Sequence, residues 1–297
     1  MTQTLAPAPT TRLLRTTALT AIAPATWGTT YLVTTQFLPP GIPLLSGVIR
    51  TLPAGLLLLL FTRTLPRGTW WWRSAVLGAL NIAAVNALLF VAAYRLPGGV
   101  AATLSAVQPL LVALIAFAVL REKPTTWRLG WGVAGVIGVG LIVLRGEIVF
   151  DTVGVLAGLG AAAAMATGIV LTKRWGRPPG TGLLAFTGWQ LTAGGLLLAP
   201  IALASEGLPP VPDLKALAGF AWLALIGTAL AYALWFQGLG TLPVTAVSFL
   251  PLLSPVVATL LGWLVLGQSL TAVQGLGFVL ALVSIAAAQL PPKGKKS

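Results

Sequence analysis

The sequence predicts an all-α integral membrane protein of ten transmembrane helices, arranged as two inverted five-helix repeats. Three observations predict it. Of the 297 residues, 57% are hydrophobic and 8% charged, with a mean hydropathy of +0.95; soluble domains carry about 25% charged residues. Hydropathy and helix breakers divide the chain into ten apolar runs, each near the ~20 residues a bilayer core requires. Basic residues collect at alternate ends of those runs. An aqueous domain, a disordered chain and a fibre are excluded, because none can hide so many apolar side chains.

The runs lie at 14–37, 43–62, 71–93, 99–120, 127–144, 152–173, 182–203, 214–236, 243–264 and 270–290. Short connectors punctuate them with loop residues. Leu38-Pro39-Pro40-Gly41 follows the first run, Leu65-Pro66-Arg67-Gly68 the second and Arg121-Glu122-Lys123-Pro124 the fourth. Gly176-Arg177-Pro178-Pro179-Gly180 follows the sixth, and Leu208-Pro209-Pro210 the seventh. The first run contains Pro24 and no small-residue cleavage site, so it is read as a span and not as a signal peptide.

Charge sets the expected topology. Fourteen of the 18 basic residues, from Arg12 and Arg15 through Arg121, Lys123 and Arg128 to Lys293, Lys295 and Lys296, fall on the side of the N-terminus. Arg95, Arg145 and Lys215 fall on the other side. The positive-inside rule then places both termini in the cytoplasm. The net charge of +13 thereby reads as a topology signal and not as a nucleic-acid site. Trp70-Trp71-Trp72, Trp127 and Trp175 sit at the cytoplasmic ends and read as interfacial anchors.

The two halves align. Leu96-Pro97-Gly98 sets against Leu242-Pro243-Val244, and at the same offset of 146 Pro109 falls on Pro255. Arg50-Thr51-Leu52-Pro53-Ala54-Gly55 sets against Gln190-Leu191-Thr192-Ala193-Gly194-Gly195 at offset 140, and Trp27 faces Met165 at offset 138. The expected repeats are 1–147 and 148–297. Five crossings per half make the second copy enter from the opposite side. Inverted repeats of this kind support alternating access to a site near the bilayer midplane.

Residues that could form such a site are polar or aromatic and lie within the runs. Trp27 and Tyr31 share a face of the first; Asn81 and Asn86 lie in the third, Gln108 in the fourth, Met165 in the sixth. Tyr232 and Trp235 lie in the eighth and Ser248 in the ninth. An uncharged polar cavity with aromatic walls suits a zwitterion with an apolar side chain; ordinary interhelical bonding is the alternative for each polar group. Pro24, Pro109, Pro251 and Pro255 are candidate hinges, since each removes a helix hydrogen bond; static packing kinks are the alternative. Arg50 is the one charge inside a run. It reads either as a partner for a substrate carboxylate or as a structural group bonding carbonyls at a helix end.

Enzyme chemistry has almost no candidates. The sequence has no Cys and no His, and its five acids lie in loops or at run ends, leaving no metal set and no general base. The absence of a carboxylate within any run leads us to expect a facilitator and not a proton antiporter. Gly130-Trp131-Gly132-Val133-Ala134-Gly135 fits a dinucleotide fingerprint, but it follows no strand and reads as a packing ridge. Gly154 and Gly158 are expected to pack within a monomer.

The Trp27-Gly28 pair, Arg50, the prolines of the fourth and ninth runs and the Leu120-Arg121-Glu122 ending resemble the drug/metabolite transporter superfamily. Across the whole chain the resemblance is to tandem EamA-domain carriers. Arg121 departs from that family's Leu-Gly-Glu ending, and Leu266-Gly267-Gln268 departs in its last residue. The resemblance implies a bacterial inner-membrane exporter of amino acids and related metabolites, similar to the YddG-type aromatic amino-acid exporters. A multidrug or other small-metabolite exporter is the alternative, and a passive channel the next. The expected partners are a small-molecule substrate and membrane lipid, with no nucleic acid, cofactor or metal.

Overall fold

The computed structural model describes residues 9–95, 104–143, 151–209, 211–267 and 271–290. Among these the chain is helical, with no strand. In order, the helices are α1 (Pro9–Phe37), α2 (Pro43–Thr62), α3 (Trp70–Gly78), α4 (Val85–Arg95), α5 (Gln108–Leu120), α6 (Thr126–Val143) and α7 (Thr152–Trp175). There follow α8 (Leu183–Glu206), α9 (Leu214–Ala224), α10 (Ala231–Thr241), α11 (Val244–Val247), α12 (Leu253–Leu266) and α13 (Ala272–Gln289). A π-helical stretch, Ala79–Ala84, joins α3 to α4, and a second, Leu225–Leu230, joins α9 to α10. Among the described residues, seven helical stretches are long and apolar enough to cross a membrane; Leu104–Leu120 and Thr126–Ile142 are shorter apolar helices.

Boundaries follow from capping. Asp151 accepts from the Gly154 amide at 2.7 Å and opens α7; Asp213 accepts from the Ala216 amide at 2.7 Å and opens α9. Thr271 and Gln274 form a capping box at α13. Glu206, at the end of α8, accepts from the amides of Leu44 (2.7 Å) and Leu45 (2.8 Å), neutralising the N-terminus of α2. Three of the five acids thus serve helix starts, which explains their clustering at run ends. α7, α8 and α10 run to Trp175, Glu206 and Thr241, past the apolar limits expected of them, because a helix continues through polar residues that hydropathy does not count.

The tightest packing joins α2 and α8, which run antiparallel. A Cβ on Gly55 would meet the Thr192 amide nitrogen at 2.5 Å, and one on Gly195 would meet the Leu52 Cβ at 2.8 Å. Each glycine lies 140 residues from the other, and so do Leu52 and Thr192. The two contacts are therefore related by the same 140-residue offset. Glycine is required at both, because backbones this close leave no room for a side chain.

The glycine ridge of α6 also packs internally: Gly132 faces Leu110, Gly135 faces Leu252 and Gly138 faces the backbone of Ala281. Gly158 faces Leu104 and Ala92.

The prolines differ from the expectation of kinked spans. α1 runs on through Pro24. Pro109 lies in the first turn of α5, and Pro255 near the start of α12, after a 3-10 turn, Leu250–Leu252, that holds Pro251. A proline in a first helical turn forfeits no helix bond, so these helices restart where bent helices were expected. Trp70 also departs from its expected role. It is buried, with its ring 5.7 Å from Phe186 and 6.2 Å from Trp189, while Trp71 and Trp72 are exposed.

Candidate functional site

A cavity of about 350 Å³ lies between the halves. From the first half it is lined by Trp27, Thr30 and Thr34 of α1, Ser46 and Arg50 of α2, Asn86 of α4, and Gln108 and Pro109 of α5. The second half adds Met165 of α7, Tyr232 of α10, and Ser248, Pro251, Ser254 and Pro255 around the start of α12. Asn81, Trp235 and Pro24 are outside this lining. The side chain of Tyr31 lies outside the described residues.

The aromatic wall is built in two layers. The Trp27 ring lies 5.2 Å from that of Tyr232 and 5.4 Å from that of Trp235. Trp235 is 1% exposed and backs Trp27 without reaching the cavity. The layer continues from Tyr232 to Phe236 at 5.8 Å and from Phe236 to Phe186 at 5.8 Å.

The π-helical stretch Leu225–Leu230 supplies the polar corner. Its i→i+5 register interrupts the regular ladder and releases carbonyls for other donors. Trp27 donates from Nε1 to the Gly227 carbonyl at 3.1 Å, and Arg50 donates from Nη2 to the same oxygen at 2.9 Å. Arg50 Nε donates to Thr228 Oγ1 at 2.9 Å. A charge at a span centre costs about 2.5–3.5 kcal/mol on insertion scales. Hydrogen bonds to a charged group return about 1.5–3 kcal/mol each, so these two hold the guanidinium in place. Arg50 bonds a backbone carbonyl, as its structural reading expects, and it also lines the cavity. The carbonyl belongs to a π turn within a span, whereas a helix end was expected.

The other π stretch does the matching job at a site distinct from the cavity. Asn81, 1% exposed, donates from Nδ2 to Gln190 Oε1 at 3.1 Å and to Thr172 Oγ1 at 3.3 Å. It bridges α7 and α8. Its reading as a ligand contact fails to anticipate this, because residue type alone does not reveal which face of a span meets a neighbour. Gln190, fully buried, and the two π stretches carry no hydropathy signal and were not singled out by sequence.

Within the cavity, Gln108 is 7% exposed and its Nε2 has no partner among the described residues. Asn86 donates to the Ile82 carbonyl at 2.6 Å, and Ser248 donates to the Thr245 carbonyl at 3.0 Å. Arg50 is the sole charged residue of the described lining. The described residues include no cluster of metal-ligating side chains.

One end of the cavity reaches Thr35 and Pro43, where α1 ends and α2 begins. Just before the lining residue Ser248 lies α11, whose four residues are buried. Three long side chains pin it. Arg128 Nη1 donates to Thr245 Oγ1 at 2.6 Å, Gln289 Nε2 to the Ala246 carbonyl at 3.0 Å, and Lys173 Nζ to the Leu242 carbonyl at 3.0 Å. Arg128 and Lys173 read in sequence as topology charges, and nothing there marks them as partners of α11 and of the Leu242 carbonyl before it.

The family model described as the EamA-like transporter family matches this chain twice, at residues 15–144 and 152–288. Protein PecM of Dickeya dadantii (strain 3937) is 48% identical to it over 257 residues, 86% of each chain. The chain belongs to the EamA-like transporter family. As a member of that family it is a transporter and a multi-pass membrane protein, not an enzyme. Another relative is the threonine/homoserine exporter RhtA of Salmonella typhimurium (strain SL1344), 28% identical over 221 residues, covering 71% of this chain and 68% of that one. A crystal structure of a protein 19% identical in sequence superimposes with a TM-score of 0.78, covering 92% of this chain and 96% of that one. At that identity the likeness shows a shared fold and nothing of the substrate.

Proposed function

We propose that this EamA-like transporter is a secondary carrier of the bacterial inner membrane, exporting amino acids with large or aromatic side chains and related metabolites by alternating access. The observation that carries the reading is the cavity itself: about 350 Å³, lined from both halves, with an aromatic wall and polar groups opposite it. That volume suits a small metabolite, and ligand pockets combine apolar walls with a few fixed polar groups. The amino-acid class takes support from the exporter RhtA among its relatives.

In this reading the chain crosses the bilayer ten times as two inverted repeats, 1–147 and 148–297, with both termini cytoplasmic, and acts as a monomer. Support comes from the paired contacts at constant offset, Gly55 with Thr192 and Gly195 with Leu52, and from the two π stretches 146 residues apart. The described lining holds no carboxylate, which favours a facilitator driven by the substrate's own gradient. Pro109, Pro251 and Pro255 stand where helices restart beside the cavity and are the proposed hinges, with Pro24 in α1 as the fourth.

The test is uptake of labelled amino acids, including phenylalanine and tryptophan, by proteoliposomes without an imposed ion gradient. Saturable uptake accelerated by unlabelled substrate on the opposite side is the expected result. Transport that strictly requires a proton or sodium gradient would reject the facilitator.

A further inference from the structure

We propose that the cavity selects a net organic anion, a monocarboxylate with a planar or apolar body, and that Arg50 and Gln108 are the residues that select it. Within the carrier reading this moves the preferred substrate from the amino acids to the related metabolites that lack an ammonium group, and it rests on the cavity being the substrate site.

Arg50 is the sole charged residue lining the cavity among the described residues. Asp151, Asp213 and Glu206 are committed to helix starts, so none of them neutralises it. Two of its nitrogens are bound to Gly227 and Thr228, which fixes the plane of the guanidinium. Nη1 makes no hydrogen bond to a described residue. A partly buried charge in this state gains most from a ligand of opposite sign, since low-dielectric surroundings strengthen the attraction and no described acid lines the cavity to compete for it.

Gln108 supplies the second donor. It is more than nine-tenths buried, lines the cavity, and its Nε2 is unpartnered among the described residues. A buried donor without an acceptor is costly, and a carboxylate, an acceptor with two oxygens, satisfies it. The Trp27 and Tyr232 rings provide the surface for the remainder of the ligand.

An α-ammonium group changes this balance. In the cavity it would share a small volume with the guanidinium, and like charges disfavour one another. The amino acid corresponding to a given acid is therefore the weaker ligand, and the corresponding amine weaker still. Holding Arg50 on a π-helical carbonyl before the ligand arrives lowers the ordering cost of binding.

Three probes share one skeleton and differ in charge: 3-phenylpropionate, phenylalanine and phenethylamine. Their binding to the purified full chain is measured by calorimetry at pH 7, and their counterflow in proteoliposomes. The expected order is propionate over phenylalanine by about tenfold or more, with the amine undetectable. Arg50→Gln should collapse the order and Arg50→Lys should keep it. Gln108→Met, which preserves volume without the donor, should weaken the anion severalfold and is the second variant if Arg50→Gln does not fold. Tighter binding of phenylalanine or phenethylamine, an unchanged order in folded Arg50→Gln, or an unchanged anion affinity in folded Gln108→Met, would overturn the proposal. Failure of all three to bind while a neutral compound shows counterflow would overturn it and leave the carrier intact. The expected binding order without counterflow of any compound would support the anion site and remove the carrier.

Discussion

Arg50 Nη2 and the Gly227 carbonyl meet at 2.9 Å, from positions 177 residues apart in the chain. Gly227 belongs to a π turn of the second half, and Arg50 to the second helix of the first. The repeat offsets relate Arg50 to Gln190 and Gly227 to Asn81. Gln190 and Asn81 are themselves bonded, at 3.1 Å. The same crossing therefore occurs twice, once as a charged corner of the cavity and once as a neutral bridge between helices. The pseudo-symmetric frame is kept while the chemistry differs between its two copies.

The neutral copy predicts a modest coupling. Removing the Asn81 or the Gln190 side chain by alanine substitution should destabilise the protein, and the double mutant should lose less than the sum. Interhelical hydrogen bonds in membranes average about 0.6 kcal/mol and reach about 1.7 kcal/mol, so the double-mutant cycle, read from unfolding in mixed detergent micelles, should fall in that range.

Helix contacts at Gly28 predict a larger effect. A Cβ there would sit 2.7 Å from the Ser254 carbonyl oxygen and 2.7 Å from the Val257 Cβ. Backbone cannot yield as a flexible side chain does. Gly28→Ala should cost about 1–3 kcal/mol, the range for overpacking, and lower the unfolding temperature. Gly130→Ala, with nothing within 4 Å of the added atom, should instead be neutral or gain up to about 1 kcal/mol of helix propensity.

The departure of Arg121 from glycine has a conformational consequence. Arg121 ends α5 at φ +60°, and Gly267, 146 residues later, ends α12 at φ +65°. A left-handed residue with a Cβ costs about 1–2 kcal/mol more than glycine. Arg121→Gly should stabilise the protein by about 1 kcal/mol and Gly267→Ala should destabilise it by a similar amount, measured as opposite shifts in thermal unfolding.

Asp151 makes the stability of α7 depend on acid. The Gly154 amide, aided by Arg95 with its nitrogen at 3.3 Å, holds the Asp151 carboxyl below its ordinary value. A depressed carboxylate contributes stability above its unfolded pKa, about 3.9, and loses it as pH falls through the lower folded value. Unfolding temperature should therefore drop below about pH 4, and Asp151→Asn should flatten that part of the profile.

Much of the frame was legible in the sequence, because crossing a bilayer demands long apolar runs and short loops. The 43–62 run coincides with α2, and Gly132, Gly135 and Gly138 of the α6 ridge pack against neighbouring residues, whereas Gly130 meets nothing. The two π stretches were not legible: one extra residue in a turn leaves hydropathy unchanged. The role of Gln190 was hidden for a different reason. It was visible only as the alignment mate of Arg50, and its partner Asn81 lies more than a hundred residues away. Asn81 and Trp235 have the residue types of a binding site but face neighbouring helices, which no one-dimensional pattern reports. The pairings Pro97–Pro243 and Arg121-Glu122 with Gly267-Gln268 fall partly on residues outside those described, so Pro97 and Gln268 are not placed.

The central claim is that the cavity between the halves is the transport route. The sequence contains no cysteine, so one introduced at Ser46, which lines the cavity and is 7% exposed, is the unique thiol. The measurement is its rate of reaction with a membrane-impermeant maleimide in proteoliposomes, with and without the compound that shows counterflow, followed by counterflow of the labelled protein. The account predicts that substrate slows labelling and that labelled protein no longer exchanges. Labelling unaffected by substrate, with full counterflow afterwards, would contradict it.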